Sequence, residues 1–358
     1  GARMGDGTGT ATGTGTAGAA VRRDGDRVWV EGVTGWFVGE KGSSVHAAHE
    51  SAMRALGEDV TYDDLLGVSG LAFRMQVSIG TLCPSSPHAW CGYRCVDRSS
   101  EMSPWAFRHY AVKPDDDGRV AEMRRAIVDS IDRGVPVQYG SEEDGVIFGY
   151  RADGAEWLAF HPLHAGGREP FVETAWPWGL AIYTERRPDP PNWRAAGVAA
   201  LRQAVSMAAA EEADRYYVGF AAWEDYIRQL EALDRADAVV RAEAMQGNAW
   251  IYDCLVQYRA VAARFLAGLA GSLGGAVAED LARAGDAYRR MAGEVLRAPG
   301  RCSGEVAPYP WSLEDGETWS DDVRQAQIER LRAAIPLEHE AIDAIRAALA
   351  ALNGAAPH

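Results

Sequence analysis

The strongest constraint on the fold is the change in sequence pattern at the segment Pro188-Asp-Pro-Pro191. Before it, short alternating runs typical of strands are mixed with helical patterns. After it, the chain is rich in Ala and Leu and keeps a helical periodicity, with almost no strand signal. Because proline interrupts helices and strands alike, we expect a domain boundary here. The sequence predicts an α+β domain over residues 21–187 and an all-α helical bundle over 192–353.

The composition describes a globular chain of 358 residues, with 47% apolar and 24% charged side chains. Thirty-six Lys and Arg against 51 Asp and Glu give a net charge of −15, which repels phosphate backbones and anionic lipid surfaces. We find no apolar run of membrane-spanning length and no signal-peptide pattern. The sequence therefore predicts a cytoplasmic protein that binds neither nucleic acid nor membrane. The near absence of lysine beside many arginines suggests a GC-rich, bacterial genome.

Residues 1–20 form a Gly, Thr and Ala tract without apolar periodicity, and we expect this tail to be disordered. It contains Gly13-Thr-Gly15-Thr-Ala-Gly18, a literal match to the dinucleotide-binding pattern GxGxxG. A true site needs a strand before the pattern and a helix after it, and the sequence predicts neither. We therefore expect no cofactor here.

The α+β region is predicted to hold a strand over 27–31, helices over 44–56 and 120–133, and strands over 137–139, 145–150, 156–161 and 179–184. The strands on either side of Ala152-Asp-Gly154 should pair as a hairpin. The second region is predicted to hold helices over 194–214, 220–236, 249–269, 277–296 and 322–352. Cys254 lies on an apolar stripe of the third of these helices, which is typical of a packing residue.

Three of the five cysteines lie in one segment, Cys83-Pro-Ser-Ser-Pro-His-Ala-Trp-Cys-Gly-Tyr-Arg-Cys95. Its prolines and glycine disfavour a helix and predict a shaped loop. Thiolates attack acyl groups and bind metals, so Cys83 or Cys91 is a candidate nucleophile. Buried cysteines that only shape the loop are the simpler alternative. A zinc site is a third possibility, with Cys83, His88, Cys91 and Cys95 as its ligands. The spacing of these ligands matches no standard structural zinc site.

Histidines occur at two other places that deserve a chemical interpretation. His46, His49 and Glu50 resemble an inverted zincin motif with the last two residues exchanged, which changes the ligand spacing. We therefore expect a solvated or hydrogen-bonded helix face rather than a metal site. His161 and His164 follow a predicted strand, where they either point into a cleft or remain exposed on a loop.

Three acids precede a predicted buried strand in Tyr139-Gly-Ser-Glu-Glu-Asp144. Burial would raise the pKa of one carboxylate, which suits proton transfer, or the acids would hold a cationic substrate such as an amine. A charged, solvated loop at the entrance of the hairpin is the simpler interpretation. Under the functional interpretation, the candidate substrate-binding residues are Glu142, Glu143, Trp90 and Tyr139.

Several segments resemble the butirosin biosynthesis protein H family of acyltransferase-like proteins. They are Gly57-Glu-Asp-Val-Thr-Tyr-Asp-Asp-Leu-Leu-Gly-Val-Ser-Gly-Leu-Ala-Phe-Arg74, Arg133-Gly-Val-Pro-Val137 and Gly145-Val-Ile-Phe-Gly-Tyr150. Residues 216–230 and 248–270 are similar to the C-terminal helices of that family. The resemblance implies a papain-like or C39-peptidase-like first domain, followed by a helical domain. It also implies acyl transfer from a carrier-protein thioester in bacterial natural-product biosynthesis.

The resemblance implies a catalytic cysteine at the start of the first helix, where this chain has Ser43 and Ser44. It implies a histidine before the strand at 146–150, where this chain has Glu143 and Asp144. The third catalytic group, an Asp or Asn at the end of the next strand, is replaced by His161. All three expected catalytic positions therefore carry other residues.

Two arrangements would restore a nucleophile. In the first, Ser43 or Ser44 attacks with His46 or His161 as base, although a hydroxyl is a weaker nucleophile than a thiol. In the second, which we expect, a thiol acts from the opposite wall of the cleft and backbone N–H groups at the helix start form an oxyanion hole. The roles then fall to Cys83 as nucleophile, His161 or His88 as base, Asp144 as the orienting carboxylate, and Ser43 and Ser44 as the oxyanion hole.

The sequence thus predicts an acyltransferase-like or related acyl-handling enzyme that needs no metal and no cofactor. Its expected partners are a small-molecule substrate, such as a cationic amine, and an acyl carrier protein. A catalytically inactive papain-like relative that binds a small molecule or a carrier protein is the first alternative. A zinc-stabilised interaction module is the second.

Overall fold

The computed structural model describes residues 18–111, 113, 115–297 and 319–354. Most of the predicted disordered tail, the GxGxxG match up to residue 17 and Cys302 lie outside these residues. Within them the protein is α+β, with antiparallel sheets and several helices, as the sequence predicts. None of the helices in these ranges is long and apolar enough to cross a bilayer.

The strands of the described residues are numbered along the chain. They are β1 (Val21–Asp24), β2 (Arg27–Val30), β3 (Gln76–Ser78), β4 (Trp105–Ala111), β5 (Val137–Gly140), β6 (Asp144–Arg151), β7 (Glu156–Phe160), β8 (Phe171–Glu173), β9 (Gly179–Arg186), β10 (Glu212–Ala213) and β11 (Tyr216–Val218). The helices are α1 (Ser44–Ala55), α2 (Tyr62–Ser69), α3 (Asp97–Glu101), α4 (Asp117–Asp132), α5 (Trp193–Ala209), α6 (Phe220–Ala232), α7 (Ala238–Leu273), α8 (Gly275–Arg290) and α9 (Asp321–Gly354).

The larger sheet has the strand order β1-β2-β6-β5-β9-β4, and β7 and β8 extend it from β6. Its neighbouring strands are antiparallel. The predicted hairpin is confirmed: β6 and β7 pair across Ala152, Asp153 and Gly154, which all have positive φ. Asp and Gly tolerate this left-handed conformation, which explains why the sequence signal was clear.

Helices cover both faces of this sheet. Ile147 belongs to a core cluster with Met123, Ile127 and Ile131 of α4. The adjacent residue Val146 belongs to a different cluster, on the face against which α1 packs. Because side chains alternate along a strand, α1 and α4 lie on opposite faces. The start of α1 is thereby held against the first residues of β6.

The prediction that strands are almost absent after the proline-rich segment is wrong for residues 212–218. There, β10 and β11 form a hairpin, and β11 pairs with β3 to make a second sheet. The predicted helix over 194–214 accordingly ends at Ala209. Strands of two and three residues are too short to show an alternation, and their partner lies far away in the sequence.

The two predicted regions share one apolar core. The largest cluster of buried side chains runs from Trp36 to Ala348, and α7 provides many of its members. In one contact, the Phe265 ring of α7 lies against Gly67 of α2. In another, Arg259 of α7 donates to the carbonyl of Ala72 at 2.9 Å. The helical region therefore packs directly on the region that carries α1.

Candidate functional site

A surface cleft of about 670 Å³ lies where α7 meets the loop before β6. We call it the acidic cleft. It is lined by three acids, three tryptophans and several small or polar residues, and no Lys or Arg is among them. The residues that define it are Glu142, Glu143, Asp144, Trp90, Trp178 and Trp250.

A smaller inner pocket adjoins the acidic cleft at the N-terminus of α1. His88, Glu143, Trp250 and Pro84 line both spaces. The inner pocket has a volume of about 10 Å³, enough for one water-sized group. Its other walls include the start of α1 and the buried thiol of Cys254.

Ser43 is the N-cap of α1, but its hydroxyl does not cap the helix. Its Oγ instead lies 2.7 Å from Nδ1 of His46. Nε2 of His46 lies 2.9 Å from Oγ of Ser99. Because the Ser99 hydroxyl donates to the carbonyl of Val96 at 2.9 Å, its oxygen must accept from the imidazole N–H. Nδ1 of His46 is then unprotonated and accepts the Ser43 proton.

The His46 ring is buried, and burial lowers its pKa from the usual 6.5 to about 3. The nearby His49, His88 and Arg74 make smaller contributions to this shift. The ring is therefore neutral at physiological pH, and the lone pair on Nδ1 accepts the hydrogen bond from Ser43. A hydroxyl, a neutral imidazole and a second group that fixes the imidazole are the parts of an activated serine nucleophile.

Ser44, the next residue, joins α1 to the first residues of β6. Its hydroxyl donates to Oε2 of Glu143 and accepts from the backbone N–H of Asp144 at 2.9 Å. The start of α1 and the segment before β6 are far apart in the sequence. They meet in space here, as a serine and a glutamate.

The two acids beside Ser44 have raised pKa values. The pKa of Glu143 is raised from 4.5 to about 7, mainly by burial, against the opposing effect of the hydrogen bond from Ser44 and with smaller contributions from the nearby Asp144 and Glu142. Burial also raises the pKa of Asp144 from 3.8 to about 6, against the opposing effect of a hydrogen bond from Gln138 at 2.8 Å. Only Glu142 is exposed. The acid loop is therefore not the solvated loop of the simpler interpretation.

His161, one candidate base, is buried rather than exposed and is absent from the lining of both spaces. Its Nδ1 accepts from the N–H of Leu163 at 3.2 Å. Its Nε2 then carries the proton and donates to the carbonyl of Glu143 at 3.0 Å. In this arrangement His161 holds the acid loop in place and has no free lone pair.

His88, the other candidate base, lines both spaces. Its Nε2 lies 3.9 Å from Oε2 of Glu143, and burial lowers its pKa to about 4. It is therefore a neutral neighbour of Glu143 rather than a cationic partner.

The cysteine segment is a shaped loop, as predicted, and its three thiols are free. Sγ of Cys83 lies 3.0 Å from Oγ of Ser85, and no imidazole of the described residues lies within hydrogen-bond distance of it. Cys91 lines the acidic cleft. Cys95 is buried, which raises the pKa of its thiol. No group of three or more metal-ligating side chains is present in the described ranges, so the zinc interpretation gains no support.

Of the remaining predicted residues, Trp90 lines the acidic cleft and is 36% exposed. Tyr139 does not line it. Its side chain is buried in the cluster on the α4 face, with its hydroxyl 3.4 Å from Oε2 of Glu173. Tyr139 and Gln138 point to opposite faces because they are adjacent on β5.

Sequence reasoning missed Ser99, Trp178 and Trp250 as members of the site. Ser99 lies on the short helix α3, which the sequence did not predict. Trp178 stands immediately before β9 and is 61% exposed, an unusual exposure for tryptophan that only the structure reveals. Trp250 belongs to α7, is only partly buried and lines the cleft.

No family model matches this chain, and no curated protein matches its sequence.

Proposed function

We propose that the protein transfers acyl groups, with Ser43 as the nucleophile and His46 as its general base. The single observation that carries this proposal is the hydroxyl of Ser43, which leaves the helix cap and donates to the neutral imidazole of His46. N-cap serines ordinarily bond the backbone of the first turn. Ser99 acts as the positioning residue for His46, because it fixes which ring nitrogen carries the proton.

In the first step the acyl group moves from its donor to Ser43. Once the inner pocket has widened to admit the acyl group, Ser43 Oγ attacks the acyl carbon while its proton moves to Nδ1 of His46, and a tetrahedral oxyanion forms. The N–H groups of the first turn of α1 have no carbonyl acceptor within the helix, and they stabilise negative charge at its N-terminus. The proton on His46 then passes to the departing thiol or alcohol, which leaves an acyl ester on Ser43.

The acidic cleft is the proposed entry for the acyl acceptor, a small molecule with an ammonium group. Carboxylates and the faces of Trp90, Trp178 and Trp250 attract cations, and no Lys or Arg lines the cleft. With a pKa of about 7, Glu143 is close to the value at which a carboxyl group both takes up and releases protons at neutral pH. It would remove a proton from the ammonium group, because only the free amine can attack the ester. The bond between the acyl carbon and Ser43 Oγ would then break, and the proton lost by the attacking amine would return to Ser43 Oγ through His46.

A papain-like arrangement of the first region is part of the same proposal. It is supported by the meeting of Ser44 with Glu143, at the two positions where the family resemblance implies a cysteine and a histidine. The resemblance also supports a carrier-protein thioester as donor and bacterial natural-product biosynthesis in the cytoplasm as the setting.

The proposal is tested with short acyl thioesters of N-acetylcysteamine, by following thiol release and the intact mass of the protein. We expect one acyl adduct on Ser43, and its loss in Ser43→Ala. The matched control is Ser206→Ala, which removes an exposed hydroxyl of α5 and should leave acylation unchanged. If Cys83→Ala abolishes the adduct and Ser43→Ala does not, the thiol is the nucleophile and the proposal is wrong.

A second candidate function is the binding of a cationic small molecule without catalysis. The size of the acidic cleft and its mixture of acids and tryptophans favour it, whatever the reactivity of Ser43. Calorimetric titration with simple diamines separates the two candidates. The binding function alone is supported by two results together. Ser43→Ala still binds the diamine, and no thioester acylates the wild-type protein.

A further inference from the structure

A second pocket, separate from the inner pocket, lies between α1, α3 and β4. We call it the rear pocket. Its volume of about 30 Å³ accommodates one water-sized group. Trp90 lines both the rear pocket and the acidic cleft. The polar residues of the rear pocket are His46, His49, Ser99, Ser100, His109 and Gln138.

The tautomer of His49 follows from its neighbours. The hydroxyl of Tyr183 donates to Oε1 of Gln138 at 3.0 Å. The same hydroxyl oxygen lies 2.7 Å from Nδ1 of His49 and must accept the proton of that nitrogen. Nε2 of His49 therefore carries a lone pair.

This lone pair has no partner among the described residues, although the His49 side chain is only 8% exposed. Buried acceptors are normally satisfied, and an unsatisfied one calls for an explanation. Two of the neighbouring polar groups have no hydrogen left to donate to it. Ser99 already donates to Val96 and accepts from His46, and the Gln138 amide donates to Val45 and Asp144.

The surroundings favour an uncharged ligand. Burial and, to a smaller extent, the positive charge of Arg187 lower the pKa of His49 to about 4. Arg94 places its guanidinium 4.3 Å from the centre of the Trp90 ring, at the wall of the rear pocket. Burial and the nearby Arg94 also lower the pKa of His109. A cation in the rear pocket would be repelled by both arginines and desolvated, whereas a hydroxyl needs only one acceptor.

We infer that the rear pocket is a binding subsite for one uncharged hydroxyl group, which donates a hydrogen bond to Nε2 of His49. The hydroxyl belongs to a small molecule that enters past Trp90, from the side of the acidic cleft. The inference does not depend on acyl transfer. It adds a hydroxyl requirement to whatever ligand the acidic cleft binds.

The test is nitrogen NMR on protein labelled with ¹⁵N-histidine at pH 7.5, with methanol as the hydroxyl probe and methylammonium as the cationic probe. Long-range correlations should identify His49 as the tautomer protonated at Nδ1. We expect methanol to shift the Nε2 resonance saturably in the direction of an accepted hydrogen bond. Methylammonium should produce no such shift, and the exposed His164 serves as the internal control.

His49→Phe retains a ring of similar size but lacks the lone pair, and it should lose methanol binding, as detected by methanol saturation-transfer signals. If this variant does not fold, Trp90→Ala provides the second readout. Because this variant has a wider entrance, 1-propanol as well as methanol should shift the Nε2 resonance of His49. The inference is overturned if Nε2 carries the proton, if methanol shifts His49 and His164 alike, if methylammonium binds better than methanol, or if a fixed partner already occupies Nε2 and no probe displaces it.

Discussion

At the scale of single residues, the site depends on hydroxyl and carboxyl groups whose surroundings change their ordinary chemistry. Ser43 bonds an imidazole instead of its helix, and Glu143 is mostly buried, with no cationic partner in the cleft lining. The sequence indicated that a serine and an acid stand at these positions. It could not indicate their pKa values, because desolvation depends on what other segments place around them.

Glu143→Gln should remove the main pH dependence of acyl transfer near neutrality. The base form of Glu143 is the carboxylate, so the rate should rise as the pH passes through about 7. In Glu143→Gln the rate should be lower by about 10²-fold or more and nearly flat in this range. The measurement is the pH profile of amine-dependent turnover from pH 5 to 9. Glu142→Gln, which alters the exposed neighbour, should keep the wild-type profile, and an unchanged profile in Glu143→Gln would contradict the assigned role.

The same carboxyl group should lower the stability of the protein as the pH rises, whereas an ordinary salt-bridged acid raises it. Its pKa is raised in the folded protein, so the folded state binds the proton more strongly than the unfolded state. Its contribution is favourable at low pH and is lost as the pH rises from about 4.5 to about 7. Urea unfolding of the wild type and Glu143→Gln across this range should give a difference in unfolding free energy that changes steadily with pH. A constant difference would show that Glu143 titrates normally.

At the scale of elements, loops and helices are held by contacts from distant segments. The guanidinium of Arg74 donates to four carbonyls of the cysteine loop, and the ring of Phe265 lies against α2 at a glycine. The prolines predicted that the segment is a loop. They could not predict its shape, because the arginine that organises it lies before the segment and is recognisable only by its position in space.

Arg74→Met should loosen the cysteine loop. It leaves the carbonyls of Ser86, His88, Cys91 and Tyr93 without this donor, and we expect a loss of about 3 kcal/mol or more in unfolding free energy. Alkylation of Cys83 and Cys91 by iodoacetamide should accelerate in the native protein. Arg202→Met, on the exposed face of α5, is the control and should change neither quantity. Wild-type alkylation rates in Arg74→Met would mean that the loop holds its own shape.

Two helical glycines form a matched pair for testing the contact between α2 and α7. A Cβ at Gly67 would lie 2.1 Å from the Phe265 ring, whereas a Cβ at Gly268 would meet nothing within 4 Å. We expect Gly67→Ala to destabilise the protein by about 1–3 kcal/mol through overpacking. Gly268→Ala should stabilise it by up to about 1 kcal/mol, because alanine favours a helix. Thermal unfolding monitored by circular dichroism measures both, and equal effects would refute the close contact.

At the scale of the whole molecule, the sequence predicted the class of fold, most helices of the second region and the hairpin of β6 and β7. It also placed a boundary at the proline-rich segment, where the secondary structure does change. It did not anticipate the packing across that boundary, because periodicity identifies which face of a helix is apolar but not which partner covers it. Arg259 illustrates this: its partners, Ala72 and Glu338, come from both regions.

A shared core predicts that the two regions unfold together. Denaturation followed separately by tryptophan fluorescence and by helical circular dichroism should give coincident transitions. Arg259→Met leaves Glu338 buried without its ion-pair partner, so the single transition should move to lower urea by an amount equivalent to about 3–5 kcal/mol. Two separate transitions in the wild type would show that the regions are thermodynamically independent.

The small sheet of β3, β10 and β11 has a consequence for synthesis on the ribosome. β3 emerges early, but the strand that pairs with it, Tyr216–Val218, is translated only after the entire α+β region. Until then β3 displays unpaired backbone groups beside apolar side chains, a form that favours aggregation. The nascent chain therefore cannot complete its first region before the helical region begins to emerge, and folding of the two regions is coupled to translation order.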